Sequence, residues 1–313
     1  MRRFMAILLI LFLLCGCTGQ KGAPAEQATV FCMDTVMQLH FWGVDSASAA
    51  DEISRMLYTL EETWSATSGT SLLASANAPG FTLSDEDQAL LDRALELSRR
   101  TGGAFDPRLY NLTELWGFTT GAYRVPFQSE INAALLQPAW DLGGILKGYA
   151  GDQAVKRLQD MQITAALLNL GGNVQTFGTK ADGTPWRIAI QDPSDPNAQA
   201  AVITVSGTVS IVTSGGYQRY FEGEDGTRYH HILDPKTGCP AQSDLASVTV
   251  LCDNGTTADA LSTALFVMGL EAAVRFWQES DDFEAVFITD TGKIYATSGV
   301  MLSGCEFEVI AHE

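Results

Sequence analysis

The chain has 313 residues, 46% of them hydrophobic, with a formal net charge of −18. That length and apolar content support a large domain with a full core and exclude an intrinsically disordered chain. The acidic balance, 37 Asp and Glu against 19 Lys and Arg, argues against nucleic acid or an anionic lipid surface as partner.

In chain order, Arg2 and Arg3 precede an unbroken apolar run from Phe4 to Leu14. The run is too short to span a bilayer as a mature helix and predicts a secretion signal over residues 1–16. It ends in Leu14-Cys15-Gly16-Cys17, which resembles a bacterial lipobox and makes Cys17 the lipidated first mature residue. An ordinary signal peptide cut nearby is the alternative. Residues 17–28 read as a small, polar, lipid-anchored tether, and residues 29–313 as the folded domain. The expected location is outside the cytoplasm, on a bacterial membrane.

Periodicity then predicts a strand over Val36–Trp42 and helices over Ala47–Glu62 and Asp85–Arg100, the latter capped by Ser84. A glycine-punctuated loop leads to a helix over Gly148–Met161 and a short apolar run over Ala165–Leu170. Strands are expected at Trp186–Gln191, Ala201–Val205, Val209–Thr213 and Ser247–Leu251. Helices over Ala258–Met268 and Glu271–Glu279 follow, then a closing hairpin of Phe283–Thr289 and Lys293–Thr297. Strands and helices do not alternate strictly, which indicates an α+β domain rather than a doubly wound sheet.

Three segments carry chemistry. Asp259, Ser262 and Thr263 are spaced i, i+3 and i+4, so their oxygens share one face of an apolar helix. Asp259 either caps the first turn or joins a hard-cation site of oxygen ligands, as Mg2+ prefers. Asp141-Leu142-Gly143-Gly144-Ile145-Leu146-Lys147 is a glycine turn entering a helix, with a lysine at its mouth, a setting suited to phosphates but not a Walker loop. His231 precedes the turn Asp234-Pro235-Lys236-Thr237-Gly238, either as a proton acceptor or as a residue that only bonds a loop carbonyl. Cys32, Cys239, Cys252 and Cys305 lack zinc-ligand spacing, and disulfides and buried thiols both remain open for them.

Taken in order, these segments resemble the ApbE family of FAD:protein FMN transferases. The likeness runs from Met33-Asp34-Thr35 and the serine-rich stretch Ser65–Asn77 through Gly102–Pro107, Asp141–Tyr149 and Gly171–Asn173. It continues through His231–Gly238 and Ser247–Val250 to Asp259–Thr263. The resemblance implies a single T-fold-like α+β domain, FAD as flavin donor, AMP as leaving group and a bound Mg2+. The ion would be held by Gly144, Asp259 and Thr263, with Ser262 adjacent. FAD would contact Met33, Thr67, Ala104, Phe105, Asp106, Asp141, Lys147 and Leu233. Lys147 would offset phosphate charge, and His231 would take the acceptor proton. The implied acceptor is a membrane-associated redox subunit with a Ser/Thr-Gly-Ala-Ser/Thr-like tract. Two other readings keep the residues but change the outcome: hydrolysis of FAD to FMN and AMP, or a flavin-binding lipoprotein without turnover.

The chain departs from the family pattern at four positions and in one segment. Asp34 replaces a glycine, Thr67 stands where an aromatic residue commonly stacks, Gly216 replaces an aspartate, and Ser262 replaces a second carboxylate of some members. The stretch between Ile131 and Asp141 is also short for the family.

Overall fold

The computed structural model describes residues 24–78 and 80–312. The signal segment and Cys17 lie outside these residues. A period-two pattern of buried and exposed side chains builds the first hairpin, β1 (Glu26–Cys32) and β2 (Thr35–Gly43), which pair antiparallel from Glu26↔Phe41 to Cys32↔Thr35. Residues 26–28, assigned to the tether from their polarity, belong to β1. This is an edge strand of its sheet, so its outward polar side chains are solvated and do not mark a linker.

Helices α1 (Ser46–Trp64), α2 (Leu72–Ala76) and α3 (Asp85–Arg100) follow. Ser84 caps α3 as its sequence predicts, accepting from the Asp87 N–H at 3.2 Å. Acids in the first turn of α3 and Arg99 and Arg100 in the last match the helix dipole. Short helices α4 (Tyr110–Leu115) and α5 (Gln128–Leu135) occupy the stretch read as loop, and α6 (Leu146–Gln159) begins two residues before its expected start.

Seven of the next strands run without a helix between them: β3 (Ile163–Asn169), β4 (Asn173–Gly178), β5 (Trp186–Gln191), β6 (Gln199–Val205), β7 (Ser210–Gly215), β8 (Tyr220–Glu222) and β9 (Arg228–His230). After β10 (Leu245–Cys252), helices α7 (Gly255–Met268) and α8 (Leu270–Gln278) precede β11 (Phe283–Thr289), β12 (Ile294–Thr297), β13 (Leu302–Ser303) and β14 (Glu308–Ile310).

Nine strands form one sheet in the order β1-β2-β3-β4-β7-β10-β11-β12-β14, antiparallel at every pair except β12 with β14. Helices cover one face: α1 and α6 pack on β1–β3 through Met37, Leu39, Ile53, Leu57 and Ala154, and α7 and α8 pack on β7, β10 and β11 through Val248, Val250, Leu261, Leu265 and Trp277. The sheet β13-β6-β5 covers the other face through Trp186, Ile188, Ile203, Ile211, Val286 and Ile288. Its β5 alternates buried and exposed side chains without a break, as a strand with one covered face must. Central β10 is covered on both sides and is buried at all but one position. The expected α+β class therefore holds, in one layered domain. Among the described residues no helix is long and apolar enough to cross a membrane, and the four cysteines are free thiols.

Candidate active site

A cleft of about 470 Å³ opens where the first glycine turns meet the start of α6 and the first turns of α7. It is lined by Met33, Thr67, Ala104, Phe105, Asp106, Asp141, Gly144, Lys147, His231, Leu233, Asp259 and Thr263. Every candidate residue among those described therefore faces one space, with the exception of Ser262. The residues come from six separate segments, and only the fold joins them.

At one end, α7 carries Asp259 and Thr263. Asn254 caps this helix by accepting from the Thr257 N–H at 2.9 Å, so capping is not the task of Asp259. The Asp259 carboxylate, 4% exposed, instead accepts the Gly148 N–H of α6 at 2.9 Å. Helices α6 and α7 approach too closely for any side chain there. A Cβ on Gly148 would lie 2.1 Å from the Gly255 carbonyl oxygen and 2.8 Å from the Asp259 Cβ. Burial pushes the Asp259 carboxyl above the usual carboxylate range, while the Lys147 ammonium, the Gly148 N–H and the Asn173 side chain draw it back.

No lysine or arginine among the described residues forms an ion pair with Asp259. A buried carboxylate without a paired cation is costly. The Thr263 hydroxyl stands one turn along the helix. Gly144 packs so close that a Cβ there would be 3.1 Å from the Phe105 ring and 3.9 Å from the Thr263 Oγ1. This donor set fits a hard divalent cation such as Mg2+. Ser262, expected beside the ion, is fully buried and does not line the cleft. Its hydroxyl donates to the Asp259 carbonyl at 2.9 Å and lies 2.8 Å from the Ser214 Oγ.

The glycine turn before α6 is braced by Asp141, whose two oxygens accept the Gly143 N–H and the Thr113 hydroxyl, each at 2.9 Å. Asp106 is neutralised by Arg108, which reaches both its oxygens at 2.9 and 3.0 Å. The apolar wall consists of Met33, Trp64, Phe105 and Leu233. Met33 sits in the left-handed region at φ 51°, held by its N–H on the Glu61 Oε1 at 2.8 Å. Thr67 lies at the exposed rim, its hydroxyl 3.2 Å from that of Ser65.

His231 stands half-buried on the opposite wall, with its Nδ1 3.1 Å from the Arg219 carbonyl oxygen. A carbonyl can only accept, so Nδ1 carries the proton and Nε2 keeps its lone pair. Burial, with smaller contributions from the charges of Lys147 and Arg219, pushes the imidazole down to about 4 and keeps it neutral at pH 7. Glu61, Ser214 and Arg219 also face the cleft and were not singled out from the sequence. Glu61 and Arg219 lie outside the glycine turns and the Asp259 helix face, whereas Ser214 falls within the glycine turn Thr213-Ser214-Gly215-Gly216-Tyr217. Ser214 alone had a neighbouring signal, the glycine pair that follows it.

Comparison with known proteins gives a consistent result. Residues 33–287 match the model of the ApbE family. A curated relative from Treponema pallidum, named FAD:protein FMN transferase, is 30% identical, with 92% of each chain covered. One of the same name from Vibrio cholerae is 33% identical over 95% of this chain and 98% of its own. The crystal structure of an ApbE protein from Thermotoga maritima superposes with a TM-score of 0.79 at 31% identity, covering 86% of this chain and 96% of that one. With the match spanning the glycine turns, His231 and the Asp259 helix alike, the chain belongs to the ApbE family.

Proposed function

We propose that this chain is a flavin transferase that moves the FMN half of FAD onto a threonine or serine hydroxyl of an acceptor protein and releases AMP, with Mg2+ bound at Asp259, Thr263 and the Gly144 backbone. The observation that carries the reading is the polarity of the cleft. An apolar wall at Met33, Phe105 and Leu233 leads to a polar end where Lys147 and an unpaired buried carboxylate face the same space. Such a cleft suits a flat ring joined to a pyrophosphate. It also agrees with the names of the relatives.

Bound Mg2+ would supply charge neutralisation on the pyrophosphate oxygens. The chain's own residues do the remaining work. The Lys147 ammonium offsets phosphate charge from the start of α6, and the Asp141-braced turn fixes where that helix begins. The acceptor hydroxyl attacks the FMN-side phosphorus, a new O–P bond forms, and the bond to the AMP phosphate breaks. His231 takes the hydroxyl proton at Nε2, the nitrogen its bond to Arg219 leaves unprotonated. The same reading places the protein outside the cytoplasm, lipidated at Cys17. Its acceptor there is a membrane-associated redox subunit bearing a Ser/Thr-Gly-Ala-Ser/Thr-like tract.

The test is to incubate the chain from Gln20 onward with FAD and Mg2+, with and without a protein carrying such a tract, and to follow AMP, FMN and acceptor mass together. Acceptor gaining the mass of FMN in step with AMP is expected. AMP and free FMN without acceptor would make the chain a hydrolase instead, and unconsumed bound FAD would leave only a carrier.

A further inference from the structure

The Thr263 hydroxyl, one of the proposed cation ligands, begins a row of three hydroxyls whose proton directions follow from counting. Ser262 Oγ donates its single proton to the Asp259 carbonyl oxygen at 2.9 Å, and a carbonyl has none to give back. The 2.8 Å contact between Ser262 and Ser214 must therefore use the Ser214 proton. With that proton spent, the 3.3 Å contact between Ser214 and Thr263 has only the Thr263 proton available. The row runs from Thr263 to Ser214 to Ser262 to the backbone of α7, and every hydroxyl proton in it is taken up by the next member of the row or by that backbone. Thr263 is thereby left facing the cleft with lone pairs.

We propose that Ser214, at the end of β7, is a positioning residue that fixes the Thr263 hydroxyl as a lone-pair donor toward the divalent cation. The inference rests on the cation reading of Asp259 and Thr263 given above and adds a residue to it. Ser262 belongs to the same device, which accounts for its place behind the ligands. Without Ser214 the Thr263 hydroxyl is free to rotate its proton toward the cation, where it repels rather than binds. Partners one step removed from a metal ligand typically alter metal affinity by about 10-fold to 100-fold.

The experiment measures Mn2+ binding to the FAD-free chain by calorimetry or by the loss of free-ion EPR signal, with no turnover involved. Ser214→Ala is expected to weaken Mn2+ binding about 10-fold, with a melting temperature in chelator close to that of the unmodified chain. Ser262→Ala should weaken binding in the same direction, because it leaves the Ser214 proton without its partner and free to turn to Thr263. The double variant should bind no worse than Ser214→Ala alone, as members of one chain are not additive. Ser214→Cys, which keeps a weak donor, should recover part of the affinity and guards against a folding defect. Unchanged Mn2+ affinity in Ser214→Ala, or fully additive losses in the double variant, would overturn the role of Ser214. Failure of the unmodified chain to bind Mn2+ would instead overturn the cation reading, and this inference with it.

Discussion

Asp34 sits at φ 57° in the β1–β2 turn, directly before Thr35, whose methyl would be 2.3 Å from a Cβ on Gly171. A side chain in that backbone region costs about 1–2 kcal/mol, and glycine returns about half of the gain through its freer unfolded chain. Asp34→Gly should therefore stabilise the protein by about 0.5 kcal/mol in urea titrations with chelator present. His231 gives a second prediction. Its folded value of about 4 lies below the value near 6.5 expected in the unfolded chain, so the unfolded state binds more protons between them. The contribution is fully present above pH 6.5 and is lost as pH falls toward 4. His231→Gln should flatten that part of the stability curve and abolish the acidic limb of acceptor transfer near pH 4, as read by stopped assays across pH. For Asp259→Ala, turnover should fall at least about 100-fold and lose its response to Mg2+.

At the scale of elements, the contact of α6 with α7 decides whether the site exists. Asp152 of α6 accepts four hydrogen bonds from the start of α7: Asn254 Nδ2 at 2.9 Å, Gly255 N–H at 2.6 Å, Thr256 N–H at 2.9 Å and the Thr256 hydroxyl at 2.7 Å. One helix thus caps the other, and this sets Lys147 and Gly148 beside Asp259. Gly148→Ala inserts a methyl against backbone that cannot move aside, and should cost about 2 kcal/mol in chemical unfolding and weaken Mn2+ binding. The sequence made α3 and β5 legible to the residue, because a cap, matched end charges or a clean two-residue alternation are local signals. It missed α4 and α5, which are short and bury Leu112 and Ile131 in a small cluster with Trp116, Phe118 and Leu233. Helices of that length take their stability from packing, which periodicity does not report.

At the scale of the whole molecule, Cys32, Cys239, Cys252 and Cys305 are free thiols, so among the described residues no disulfide links the layers. Reductant should leave the melting temperature of the chain from Gln20 unchanged. A thiol reagent should modify half-exposed Cys239 and Cys305 well before Cys32 and Cys252. Burial raises the Cys32 thiol to about 12, which suppresses its reactive thiolate further. Mass spectrometry over time checks the order.

The sequence alone determined the residue types of the site and their order, since the glycine turns, the Asp259 helix face and the segment at His231 are each continuous in the chain. Their assembly into one cleft was decided only by tertiary structure. Periodicity assigned Asp259, Ser262 and Thr263 to one helix face but could not tell cleft side from buried side. The difference arises because β7 brings Ser214 against that face and turns the Ser262 hydroxyl inward. The carboxylate of Asp259 had two readings in sequence, cap or cation ligand. Asn254 takes the cap within α7 and removes the first reading, whereas the 2.9 Å approach of Gly148 to the carboxylate depends on helices more than 100 residues apart meeting without a side chain between them.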